Sequence, residues 1–482
     1  MPPSQTEPYA YLAFDLGASS GRAMLGRFDG KRMQMEEVHR FPTPLVEEGE
    51  RLYWDLDAIW PALQEGLRRA GEAAPRLRSL SVDSWGVDYV PLDREGRPVR
   101  RAHCYRDPRT QDMLDKAVAR VPATDLYGTT GIQFIAINTL YQVLADQEFT
   151  PDLFAQTANR LLVADYFNYR FSGRVAAEVS LASTTQLYDP KYETWAVGLM
   201  EKLGIPPRSW PEIVPSGTCL GPVITDDQSR IRNPQSKIEV VASCSHDTAC
   251  AVAAVPAEKD ATSWAYLSSG TWSLLGVELP GPVLTEAARK AGFTNEVGVG
   301  GTIRFLKNLT GLWVLQECER AWKAAGAAFD YATLLREAET ALPAEGFVDL
   351  NEAQFGLRGD MPEKLATYCR EHGLAVPVTR GATVRLILES LAETYRQTLR
   401  VLEDLLERRI EVLHVVGGGS RNALLGQWTA DACRCRVVAG PAEATALGNL
   451  LVQVQAMNDL SPGVSIRDIV RNSSDLRVFD PR

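Results

Sequence analysis

The stretch YAYLAFDLGASSGRAMLGRF, residues 9–28, decides how this chain folds. Tyr9–Leu16 is an apolar run that reads as a strand, and Arg22–Phe28 resumes the same pattern. Between them Gly17-Ala18-Ser19-Ser20-Gly21 holds only small and hydroxyl residues, which suits a tight turn. Asp29-Gly30 is a hairpin signal and predicts a third strand over Lys31–Phe41. Asp57 is placed to cap a helix through about Ala70, with Ile59, Leu63 and Leu67 on one face. Leu77–Val82 then reads as a buried strand ending at Asp83-Ser84-Trp85-Gly86. Three antiparallel strands, a helix and a further strand predict a mixed α/β domain.

The second half opens in the same way. Trp264–Ser268 reads as a strand, Ser269-Gly270-Thr271 as a turn and Trp272–Leu279 as a second strand. Val384–Glu407 has Leu386, Leu391, Tyr395, Leu399 and Leu402 near helical spacing. Val412–Val416 is a β-branched strand that runs into Gly417-Gly418-Gly419, and Ser420 or Asn422 is placed to cap a helix reaching about Cys433. The expected organisation is a disordered lead-in at 1–8, an N-terminal domain at 9–245 and a C-terminal domain at 246–482. No low-complexity linker separates the halves, so they are expected to flank a central cleft.

Composition narrows the function. The 482 residues carry a net charge of −10 and no long Lys/Arg run, so no basic face for nucleic acid is expected. No apolar run reaches the roughly 18 residues that a membrane span needs. Met1–Glu7 is polar and Pro-rich, without the basic start and apolar centre of a signal peptide. The eight cysteines are scattered, with no zinc-type pairing, which fits free thiols in a reducing cytoplasm.

Four segments can carry chemistry. In the first, Asp15 ends a strand and is followed by backbone amides unblocked by large side chains, so the turn can face phosphate while Asp15 can hold Mg²⁺, or else it is an ordinary hairpin with a satisfied Asp. No Gly-Lys-Ser/Thr follows, so it is not a P-loop. In the second, Gly417-Gly418-Gly419 precedes a helix start and can let a nucleotide approach closely, or else is a plain strand-to-helix connection. In the third, Ser245-His246-Asp247-Thr248 offers a carboxylate able to take a hydroxyl proton, or else a hydrogen-bonded loop cap. In the fourth, Trp85, Asp107 and Arg109 fit either a polyol ligand or a core tryptophan with ion pairs.

Together, DLGASSGR (15–22), DSWGVDYV (83–90), GIQF (131–134), SHDTA (245–249), YLSSGTWSLLG (266–276), LKNLTGLW (306–313), VGGGSRN (416–422) and AGPAEATALGN (439–449) resemble the FGGY carbohydrate kinases. These belong to the actin/Hsp70/hexokinase ATPase superfamily, and the likeness runs from Tyr11 to about Leu451. The resemblance implies an α/β fold of two ribonuclease H-like domains and ATP-dependent phosphorylation of a small sugar, L-rhamnulose, at its terminal hydroxyl. It implies that Ala18, Ser19, Ser20, Gly21, Arg22, Thr271, Gln316 and Gly418 line the ATP site. Gly86, His246, Asp247, Thr248 and Asn308 would line the sugar site, with Asp247 as catalytic base and Asp15 positioning Mg²⁺. Tyr105 stands where many members have the Trp of a Trp-x-Asp-x-Arg pattern. Other sugars of the family (L-fuculose, xylulose, glycerol) and a non-kinase actin-like ATPase are the competing readings.

Overall fold

The hairpin predicted at residues 9–28 forms the middle of the first of two large sheets in a computed structural model of the chain. The structure describes residues 8–224, 237–258, 261–327 and 329–482. The expected lead-in therefore lies, apart from Pro8, outside the described residues. Two compact units divide the chain. Unit 1 holds Met1–Ala254, Glu278–Phe305 and Ala444–Ser473, and unit 2 holds Val255–Val277, Leu306–Glu443 and Ser474–Arg482.

In unit 1, β1 (Tyr9–Leu16), β2 (Ser20–Phe28) and β3 (Met33–Pro42) form an antiparallel meander. The helix α1 (Leu56–Ala73) follows, with Ile59, Leu63, Leu67 and Ala70 buried along one face. Each fully buried leucine there contributes roughly 2 kcal/mol of apolar burial. The cap is Asp55, whose side chain accepts from the Ala58 N–H, and not Asp57, which sits inside the first turn. β4 (Leu77–Ser84) returns parallel to β1. β5 (Thr218–Pro222) and β6 (Glu239–Ala242) complete a sheet in the order β5-β6-β4-β1-β2-β3, with β6 parallel to β4 and β5 antiparallel to β6. The short helix α2 (Asp247–Ala253) leaves the end of β6.

Unit 2 repeats the plan. β7 (Trp264–Ser269) and β8 (Trp272–Leu279) are an antiparallel hairpin, and β9 (Ile303–Thr310) lies beside β8. After α3 (Trp313–Ala324) and the long helix α4 (Arg380–Leu406), β10 (Val412–Val416) pairs parallel with β7. The helix α5 (Ala423–Cys433) starts on an Asn422 cap, whose side chain accepts from the Leu425 N–H. β11 (Arg436–Ala439) is parallel to β10, and β12 (Arg477–Phe479) is antiparallel to β11. The run β9-β8-β7-β10-β11-β12 follows the order of the first sheet, and the strand Thr294–Val297 adds a seventh member beside β9. The chain is thus a mixed α/β protein of two domains.

The units are not continuous in sequence. The expected division at 245/246 differs from the first unit boundary, at Ala254/Val255, and two later segments return to unit 1. One return is the helix Ala444–Ala456, which packs on α2, β1 and β4. Its Gln453 donates to the Leu12 carbonyl (3.0 Å) and accepts from Ser79 Oγ (2.7 Å). Gly448 lets it approach α2, because a Cβ there would stand 1.9 Å from the Cys250 carbonyl oxygen. Gly448→Ala is therefore expected to destabilise the protein by about 3 kcal/mol in urea unfolding, the upper end of overpacking costs. A loss below about 0.5 kcal/mol, the range of neutral surface changes, would contradict this packing.

Candidate active site

Strand register assembles the site in unit 1. β1 and β4 pair in parallel with Asp15 opposite Asp83, so two carboxylates stand side by side at the ends of adjacent strands. One residue further on, the Ser84 N–H donates to the Ser245 carbonyl (2.9 Å), which brings Asp247 to the same end of the sheet. The antiparallel β1–β2 pairing sets Arg22 opposite Asp15, and the two form an ion pair at 2.5 Å. Asn449 from the returning helix donates to Asp83 Oδ2 (2.6 Å).

Asp83 is fully buried, and its Oδ1 has no hydrogen-bond partner. Burial pushes its carboxyl well above the usual range, and the neighbouring charges of Asp15 and Asp247 push it the same way; Asn449 and Arg22 oppose them. The Arg22 guanidinium is thus the cation paired with this group of acids.

Asp247 differs from its neighbours in exposure. Its side chain is 32% exposed, whereas that of Asp15 is 10% exposed. The Thr248 N–H and Oγ1 donate to Asp247 Oδ1 at 2.5 and 3.1 Å, and His246 Nε2 lies 3.4 Å from the same oxygen. The loop beneath is anchored by the buried Glu178, which accepts from the N–H groups of Ser245, Ser180 and Leu181. Ser180 Oγ in turn accepts from the His246 N–H (3.2 Å).

Ala18 and Ser19 form the β1–β2 turn, closed by the Gly17 N–H on the Ser20 carbonyl (3.1 Å), and Ser20, Gly21 and Arg22 begin β2. Gly21 is required here, since a Cβ would stand 2.3 Å from the Phe41 ring. Gly86 follows β4 and faces Thr184 at close range. Next to it Val87 takes φ of 69°, a left-handed conformation that costs a β-branched residue roughly 1–2 kcal/mol. Its carbonyl is held by Thr139 Oγ1 (2.7 Å) and Gln142 Nε2 (3.3 Å).

Asn308 lies half-buried on β9 in unit 2. The same unit brings together Thr271 and Gln316, with Thr271 Oγ1 3.3 Å from Gln316 Oε1. The glycine run packs against the β7–β8 turn. A Cβ on Gly419 would stand 2.0 Å from Ser269 Oγ, and one on Gly417 would stand 2.9 Å from the Ser269 carbonyl. A Cβ on Gly418 would meet nothing within 4 Å. Packing explains the outer two glycines and leaves open space over the middle one.

The fourth segment is turned inward. Asp107 accepts from the N–H groups of Leu52 (2.7 Å) and Arg109 (2.9 Å), and Arg109 donates to Gln142 Oε1 (3.0 Å). Trp85 and Trp54 both donate to Asp88 Oδ2, at 3.0 and 2.6 Å, as does the Tyr105 N–H at 3.1 Å. These groups build the wall of unit 1, which is the core-and-ion-pair alternative. Sequence reasoning quoted Asp83 and Asn449 within longer motifs without giving either a role. Glu178, Glu296 and Arg304, which surround the His246 loop, carried no motif at all.

Residues 10–254 match the N-terminal domain of the FGGY family of carbohydrate kinases, and residues 265–457 match its C-terminal domain. The chain belongs to the FGGY family of carbohydrate kinases. A rhamnulokinase from Bacteroides thetaiotaomicron is 38% identical over 473 residues, covering 98% of this chain and 96% of the relative. One from Pectobacterium carotovorum is 39% identical over 477 residues, covering 98% and 93%. Among solved structures, a xylulose kinase from Lactobacillus acidophilus aligns with a TM-score of 0.80 at 15% identity, covering 98% of this chain and 94% of that one. That likeness speaks for the FGGY fold. Among the described residues no helix is long and apolar enough to cross a membrane.

The buried carboxylate has a measurable consequence. Asp83 binds its proton more tightly in the folded state than in the unfolded chain. The stability it contributes is therefore fully present below the ordinary carboxylate range and is lost as pH rises through the folded value. Asp83→Asn should flatten the fall of unfolding free energy with rising pH above about pH 4. Parallel wild-type and variant curves in urea unfolding across pH would contradict this.

Proposed function

We propose that this FGGY family member transfers the γ-phosphoryl group of ATP to the terminal hydroxyl of L-rhamnulose, giving L-rhamnulose 1-phosphate and ADP. The reading rests on full-length relatives named rhamnulokinase at 36–39% identity. The observation that carries the chemistry is the exposure of Asp247 beside two more deeply buried acids. Phosphoryl transfer asks for positioning, charge neutralisation and a base for the attacking hydroxyl. Thr248 occupies Asp247 Oδ1, which leaves Oδ2 to accept the sugar proton. Gly86, His246, Thr248 and Asn308 bind the sugar's remaining oxygens in this reading.

ATP would be held by the backbone amides of Ala18, Ser19, Ser20 and Gly21 and the guanidinium of Arg22, together with Thr271, Gln316 and the open face of Gly418. A divalent metal fits the acidic end of the sheet, where buried Asp83 Oδ1 lacks a partner next to Asp15. Among the described residues no three acidic, histidine or cysteine groups converge to hold a metal by themselves. Mg²⁺ keeps waters and substrate phosphates and takes only one or two carboxylates, here Asp15. Bound there, Mg²⁺ would neutralise charge on the phosphate oxygens. Nine-tenths buried or more, Asp15 and Asp83 are screened from the sugar by comparison with Asp247. The free cysteines suit action in the cytoplasm.

A coupled ADP-release assay with Mg·ATP over a panel of ketoses and polyols tests the reading. L-Rhamnulose should exceed L-fuculose, xylulose and glycerol in kcat/KM by about tenfold or more, as a site built around specific hydroxyls discriminates. A higher kcat/KM on another member of the panel would reassign the substrate, and sugar-independent ADP release would contradict a kinase.

A further inference from the structure

We infer that Arg304 and Glu296 are positioning residues for this reaction, acting by fixing the ring tautomer of His246 beside Asp247. The inference rests on the role proposed above for Asp247, but its first observable, the tautomer, is independent of that role.

All four residues lie in unit 1. Arg304 is fully buried and Glu296 is 6% exposed. They sit on either side of a short connection between the strand Thr294–Val297 and β9. The Gly298 N–H donates to the Thr302 carbonyl (2.7 Å), which closes that connection. A Cβ on Gly298 would stand 3.3 Å from Arg304 Cγ, so the loop also confines the arginine stem.

His246 Nδ1 is 3.2 Å from Arg304 Nη2, in hydrogen-bonding geometry. It is 3.3 Å from Glu296 Oε2, but that oxygen makes no hydrogen bond of its own. A guanidinium has five donors and no acceptor. A proton on Nδ1 would therefore oppose the Arg304 donor and would have to turn to Glu296 Oε2, which lies outside hydrogen-bonding geometry. The contact requires a lone pair on Nδ1, and in the neutral ring the proton then sits on Nε2. Nε2 is the atom that faces Asp247 Oδ1, at 3.4 Å.

Glu296 holds the arginine in place. Its Oε2 is 3.0 Å from Arg304 Nη2, and Arg304 Nε donates to the Val297 carbonyl (3.2 Å). Burial alone would raise the Glu296 carboxyl, yet the Arg304 guanidinium outweighs it and keeps it below its usual value. The pair is thus an ionised unit behind the ring. With Nε2 protonated, the ring presents an N–H on the Asp247 side, 3.4 Å from Oδ1 and able to close to a hydrogen bond. In the other tautomer a ring lone pair would face a carboxylate lone pair, and the side chain would turn away from its working position.

Long-range proton–nitrogen NMR of the full chain labelled at histidine nitrogens tests this, with His246→Gln assigning the ring among five histidines. The wild type should show the Nε2–H form. Arg304→Lys, which cannot hold both Nδ1 and the Val297 carbonyl, should lose that form and lower kcat about tenfold or more, with the KM for ATP changed less than about twofold. Glu296→Gln, isosteric and milder, should shift tautomer and kcat in the same direction and serves if Arg304→Lys fails to fold. An Nδ1–H form in the wild type would overturn the inference. So would a folded variant that changes tautomer yet keeps its kcat. Absence of turnover on any ketose by the wild type would instead count against the proposed reaction, leaving the tautomer to be read separately.

Discussion

Parallel pairing of β1 with β4 forces Asp15 and Asp83 into adjacent positions, and the site in unit 1 is organised around that repulsion. At surface dielectric two unit charges about 4 Å apart repel by about 4 kcal/mol, and burial makes the pair harder to keep ionised. The fold answers with three devices drawn from distant parts of the chain. Arg22 faces Asp15 across the hairpin, Asn449 donates to Asp83 from the helix Ala444–Ala456, and Asp247 alone remains substantially exposed.

Each device depends on close packing. Arg22 reaches Asp15 because Gly21 lets the turn pass under Phe41. Asn449 reaches Asp83 because Gly448 lets its helix lie on α2. In unit 2 the same logic governs the glycine run, where Gly417 and Gly419 fit around Ser269 and only Gly418 is left open. What a Cβ would meet thus separates the glycines that packing requires from the one it leaves free.

The local structure was legible wherever pattern and length agree. Trp272–Leu279 and Val412–Val416 form as read, because apolar, β-branched runs between turn residues have few alternatives. The helix predicted for Val384–Glu407 begins earlier, at Arg380, since the Thr379 side chain caps it by accepting from the Ala382 N–H. Asp55 and Asp57 both suit a cap by type, and only the backbone geometry at Asp55 decides between them. Motif resemblance named the exposed acid and the phosphate-type turns. It could not show that residues 278–305 and 444–473 return to unit 1, because such packing leaves no periodic trace. For the same reason Arg304 was invisible. A single arginine in an apolar strand looks like a surface position until Glu296 and His246 are seen to enclose it.

Asp247 is the group proposed to take the sugar proton. Single-turnover phosphorylation of L-rhamnulose by wild type and Asp247→Asn, with ADP affinity measured in parallel, tests this most directly. The rate should fall by roughly 10² or more, the scale of general-base catalysis, with ADP affinity unchanged. Near-wild-type turnover by the asparagine variant would contradict the assignment.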